Sequence, residues 1–109
     1  TIIKLKNNTA RFANQATPKA IFKTEDGNYS FRNYIRDMTI NTGAGNPGAV
    51  GVDFIANNSG GLINLEIKSE DGNGVAGIDM RRSWPGPCMY KMITVIGFNY
   101  GMWAGNTEY

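Results

Sequence analysis

The chain has no histidine and a single cysteine, Cys88, among its 109 residues. Without histidine there is no Ser-His-Asp or Cys-His catalysis and no imidazole metal ligand. One cysteine forms neither an intrachain disulfide nor a cysteine-rich zinc site. Charge is also sparse: 11 basic against 9 acidic residues leave +2, spread along the chain. That is too mild and scattered to argue for nucleic acid or an anionic membrane as a partner. No apolar run approaches the ~18 residues of a membrane span, and no segment reads as a signal peptide. Leucine is scarce as well, with 3 residues against 11 isoleucines.

What is present points to strands. Branching at Cβ suits a pleated sheet, and 14 glycines with 4 prolines interrupt nearly every helix-length window. Met38-Thr39-Ile40 is echoed by Leu65-Glu66-Ile67 and by Ile93-Thr94-Val95, at steps of 27 and 28 residues. Gly51-Val52-Asp53-Phe54 returns as Gly77-Ile78-Asp79-Met80 and more loosely as Gly101-Met102-Trp103, at steps of 26 and 24. Two strand types sharing one period indicate a solenoid. The reading is therefore all-β: a parallel β-helix, or solenoid, of about four coils of 24–28 residues. Residues 1–109 form a single partial domain, with 1–33 an irregular first coil carrying a loop or protruding insertion at 7–18, and 34–109 the regular coils.

Alternation sets the sidedness of each strand. Met38/Ile40, Leu65/Ile67, Ile93/Val95, Val52/Phe54 and Ile78/Met80 are expected inside. Thr39, Glu66, Thr94, Asp53 and Asp79 are expected outside. Segments such as Asn57-Asn58-Ser59-Gly60-Gly61 and Asp71-Gly72-Asn73-Gly74 supply corners, because Gly and Asn accept positive φ at little cost. Gly43-x-Gly45-x-x-Gly48 and Gly72-x-Gly74-x-x-Gly77 fit the dinucleotide-binding pattern, but each leads into a strand where that chemistry needs a helix. They read as equivalent corners.

The nine carboxylates are Glu25, Asp26, Asp37, Asp53, Glu66, Glu70, Asp71, Asp79 and Glu108. The repeat stacks Asp53 and Asp79 on adjacent coils about one strand spacing apart, ~5 Å. Such a pair shares a proton, binds a cation such as Ca²⁺, or is neutralised by arginine; Arg81 is the nearest candidate. Asp53, Asp79 and Arg81 are thus the candidate catalytic residues, against the alternative of a solvated face with Arg81 neutralising the acids. Trp103 follows in the same outward column, where an aromatic face would suit a sugar ring. Arg82 and Trp84, in the loop Arg81–Pro87, either line a glycan groove or, for Trp84, anchor the loop on the coil edge. Cys88, beside an apolar run, reads as a small core residue.

The stretch from Tyr34 to Asn58 resembles the pectate-lyase-like, right-handed parallel β-helix proteins. So do Gly77-Ile-Asp-Met, Pro85-Gly-Pro-Cys, and the run from Ile93 to Gly101. The nearest likeness is to bacterial polysaccharide lyase and glycoside hydrolase modules related to exo-β-1,3-glucanases and phage tailspikes. The resemblance implies a secreted or cell-surface protein that binds or cleaves polysaccharide along an outer face. The alternative is a non-catalytic structural or glycan-binding β-helix. No catalytic motif of those families maps onto this chain, so no residue role is carried over. Neither end reads as a solenoid cap, from which we expect a piece of a longer helix, or self-association through uncapped ends.

Overall fold

The computed structural model describes residues 1–106, which leaves Glu108 outside the described residues. Eight strands follow one another: β1 (Ile2–Lys4), β2 (Lys19–Lys23), β3 (Phe31–Asn41), β4 (Ala49–Asp53), β5 (Asn57–Lys68), β6 (Ala76–Met80), β7 (Met89–Ile96) and β8 (Tyr100–Ala104). Odd and even strands separate into two parallel sheets, ordered β1-β3-β5-β7 and β2-β4-β6-β8. The result is a parallel β-solenoid of about three turns. Each sheet has four strands but only three one-coil steps between them, which is why four expected coils become about three turns.

The repeat predicts the register residue for residue. Met38, Leu65 and Ile93 are neighbours across β3, β5 and β7, as are Ile40, Ile67 and Val95. Phe22, Val52, Ile78 and Met102 form the matching column in the even sheet. Ile40, Ile67, Val52, Phe54 and Ile78 are fully buried and form the core between the sheets. At the last coil the column opens: Met102 is 47% exposed, because no further coil of the described chain covers it.

Glycines set how closely the sheets approach. A Cβ on Gly51 would collide with Ile67 and lie 2.6 Å from the Gly77 carbonyl oxygen. One on Gly77 would collide with Val95. Both positions therefore face the interior, beside Val52 and Ile78, although alternation would put them outside. The Gly-rich motifs are corners, with Gly43, Gly45 and Gly72 in the left-handed region.

The first coil is more integrated than a protruding insertion. Phe12, in a short 3-10 turn at Ala10–Phe12, is buried, and its carbonyl accepts from Gly48 N at 2.7 Å. Asn46 fastens the same region: its Oδ1 accepts from Thr9 N (2.8 Å), and its Nδ2 donates to the carbonyls of Lys6 (3.0 Å) and Thr42 (2.8 Å). Residues 7–18 thus fold back on the Gly43–Gly48 corner, since a buried amide needs partners on every side.

Candidate functional site

The even sheet places Lys23, Asp53, Asp79 and Trp103 in one outer column, each directly beside the next in register. The acids expected side by side are side by side. They differ from a solvated pair, however, because two consecutive arginines leaving β6 cover them. Asp79 is 7% exposed. Its Oδ1 accepts from Arg81 Nε (2.9 Å) and Arg81 N (3.1 Å), and its Oδ2 accepts from Arg81 Nη2 (2.7 Å). Such a fork-on-carboxylate arrangement is among the strongest side-chain pairings.

Asp53 takes the other arginine. Arg82 Nε donates to Asp53 Oδ1 at 2.7 Å, and Nη2 donates to the Asp53 carbonyl and to Thr24 Oγ1, both at 3.1 Å. Nη1 reaches Asp26 Oδ1 (2.7 Å) and the Glu25 carbonyl (3.4 Å). A guanidinium has five N–H donors, and these five bonds use them all. Thr24 Oγ1 in turn accepts from Ile55 N at 2.9 Å and faces the Ile55 carbonyl at 3.2 Å. Arg82, expected among the glycan-binding residues, instead ties the connection after β2 to the end of β4.

Trp103 is likewise engaged. Its ring stacks on Tyr100, with centroids 4.3 Å apart and planes 18° from parallel, and the Arg81 guanidinium carbon lies 3.5 Å from the ring centroid. The expected open platform for a sugar is packed by neighbours. Trp84 is 37% exposed and sits at positive φ in the loop between β6 and β7. Cys88 Sγ donates to the Pro85 carbonyl at 3.1 Å and packs against the core, as a small core residue should.

Beside these ion pairs lies a cleft of about 260 Å³ floored by Pro18, Ala20 and Val50 and walled by Asp53, Asp79, Arg81 and Arg82. Its electrostatics are those of closed pairs. Burial pushes the Asp79 carboxyl up, but the side-chain and backbone bonds from Arg81 outweigh it, and the pKa lies below the usual carboxylate value. The bond to Asp79 pushes Arg81 up in turn. A general acid must hold a proton near the working pH, and an arginine base must lose one. Asp79 and Arg81 are shifted the wrong way for both roles.

Calcium fits no better. Ca²⁺ takes six to eight oxygens, whereas Asp53 and Asp79 are two carboxylates each already accepting from a guanidinium. Among the described residues, no group of three or more acidic or cysteine side chains could hold a metal ion.

The roles of Thr24 and Asp26 were not legible beforehand. The one available signal was their position just after Lys23, one coil before Asp53 in the same outer column. In comparisons with family models, curated proteins and solved structures, nothing matches this chain.

Proposed function

We propose that this chain is a non-catalytic β-helix module that binds polysaccharide on an outer face. The observation that supports this reading is that Asp53 and Asp79 are each bound by an arginine, which leaves the two no proton to share. Carbohydrate enters through the resemblance of residues 34–58 to the pectate-lyase-like superfamily, whose kinship is part of the proposal. In this reading the protein acts where polysaccharide is met, secreted or at the cell surface.

Self-association belongs to the same reading. Ile2 and Ile3 are exposed at one end of the long sheet and Ile96 at the other, each on an edge strand. Light scattering tests it: mass should rise with concentration, and a constant monomer mass at high concentration removes pairing. Binding itself is tested by affinity electrophoresis through gels containing soluble β-glucan or pectin, with and without Ca²⁺. The expected result is retardation by at least one glycan, independent of Ca²⁺. Unchanged mobility on every glycan overturns the proposal.

A further inference from the structure

We infer that an uncharged sugar ring binds in a notch on the outer face of the long sheet, between Tyr34 and Met89. The inference rests on the glycan-binding reading and locates its site. It takes up the aromatic stretch Tyr29, Phe31 and Tyr34, for which the acidic column has no use.

The notch follows from register. Tyr34, Gly61 and Met89 are direct neighbours across β3, β5 and β7. Tyr34 is 52% exposed and Met89 48%, so two large side chains stand in solvent with a glycine between them. A Cβ on Gly61 would lie 2.6 Å from the Met89 carbonyl oxygen and 3.5 Å from Tyr34 Cε1. A side chain at Gly61 would therefore press on the Met89 backbone and on the Tyr34 ring, which rests beside the glycine. With strands about 4.8 Å apart, the flanking backbones are roughly 10 Å from each other, and the Tyr34 ring leans over the intervening glycine.

The lining defines the chemistry. The hollow, about 270 Å³, is bounded by Tyr34, Asn58, Ser59, Pro87, Cys88 and Met89, with Gly60 in its floor. Tyr34 Oη lies 3.4 Å from Ser59 Oγ, so one edge presents two hydroxyls, and the exposed Asn58 adds an amide. An aromatic face offers apolar contact to the C–H face of a pyranose, while hydroxyl and amide groups exchange hydrogen bonds with its edge. No charged side chain lines the hollow. Nothing there would offset the cost of desolvating a uronate carboxylate, so the occupant is a neutral hexose unit.

Titration of the protein with laminarin, a neutral β-glucan, and with polygalacturonate tests this. Tyr34→Ala should weaken laminarin binding by at least about tenfold. Tyr34→Phe, which keeps the ring, should stay within about threefold. Trp103→Ala, on the other sheet, should leave the affinity unchanged. Wild-type-like laminarin binding by Tyr34→Ala overturns the notch and leaves the glycan-binding reading standing. Failure of the wild type to bind any glycan overturns both. Tighter binding of polygalacturonate than of laminarin overturns the neutral occupant. Should Tyr34→Ala not fold, the ring resonances of Tyr34 in the wild type decide: they shift on adding laminarin, and an unshifted ring in a protein that binds laminarin overturns the notch.

Discussion

The two sheets of the solenoid share a period but use their outer faces differently. The even sheet is built from five-residue strands, and its central charges are consumed in holding the fold: Arg82 spends five donors on four residues, and Arg81 closes over Asp79. In the odd sheet β3, β5 and β7 are longer, and its ion pairs lie in solvent. Arg36–Asp37 is the clearest, at 2.8 Å with both side chains more than half exposed. Asp37, Asn64 and Met92 put a left-handed residue at the same phase within β3, β5 and β7, and Asn64 Nδ2 donates to Asp37 Oδ1 at 2.9 Å. Where a charged group is enclosed by partners, its hydrogen bonds hold the fold. Where outer side chains stay open they remain available to a ligand.

The sharpest way to break this contrast is to remove one arginine from each sheet. Arg82→Ala strips the guanidinium from the Asp53 and Asp26 carboxylates, while the Asp53 and Glu25 carbonyls keep Thr24 N and Ser30 Oγ, and should cost about 2 kcal/mol. Arg36→Ala should stay within ~0.5 kcal/mol, as exposed pairs do. Urea denaturation of both variants checks the difference, and equal losses would erase the distinction between the sheets.

Next in size is the interior glycine column. Gly51→Ala forces a Cβ into Ile67 and should cost about 2 kcal/mol. Gly101→Ala, at the equivalent position of the last coil, meets nothing within 4 Å and should be neutral or slightly stabilising. Thermal melts of the two variants should therefore separate clearly.

The pH dependence comes third. Because the Asp79 pKa is lowered in the folded state, the unfolded chain takes up the proton first as pH falls. Its stabilisation is fully present above the unfolded value, about 3.9, and is lost as pH drops through the lowered folded value. Asp26, with its bond from Arg82, and Asp37, with its bond from Asn64, shift the same way. The melting temperature should hold steady from pH 7 to about 5 and fall below about 4. Asp79→Asn should cost about 1.5 kcal/mol at pH 7 and flatten that fall.

The smallest expected effect is a gain. Met92 sits at φ 54° and is mostly exposed, where only glycine and asparagine are at ease. Met92→Asn should add about 0.5–1 kcal/mol, read as a rise in the urea midpoint.

How far the sequence reaches depends on whether a residue obeys the repeat. Parallel coils set equal-phase residues side by side, so Asp53 beside Asp79, and Val52 beside Ile78, are readable from spacing alone. Gly51 and Gly77 read from spacing as strand starts, because alternation does not show that they face Ile67 and Val95 across the interior. The anchoring contacts of Arg82 are hidden from spacing for a different reason. Its partners Thr24, Glu25 and Asp26 lie in a connection of a different coil, reached through a loop that does not repeat. Trp103 was placed in the correct column, but Tyr100 and Arg81 fold over it through side-chain geometry that periodicity does not encode.

The most direct measurement follows product release from soluble β-glucans and pectins by the wild type and Asp79→Asn, alongside glycan binding. A non-catalytic module binds and yields neither new reducing ends nor unsaturated sugars. Turnover by the wild type that disappears in Asp79→Asn, with glycan binding and the fold intact, would contradict the account by putting the arginine-bound acid back into chemistry.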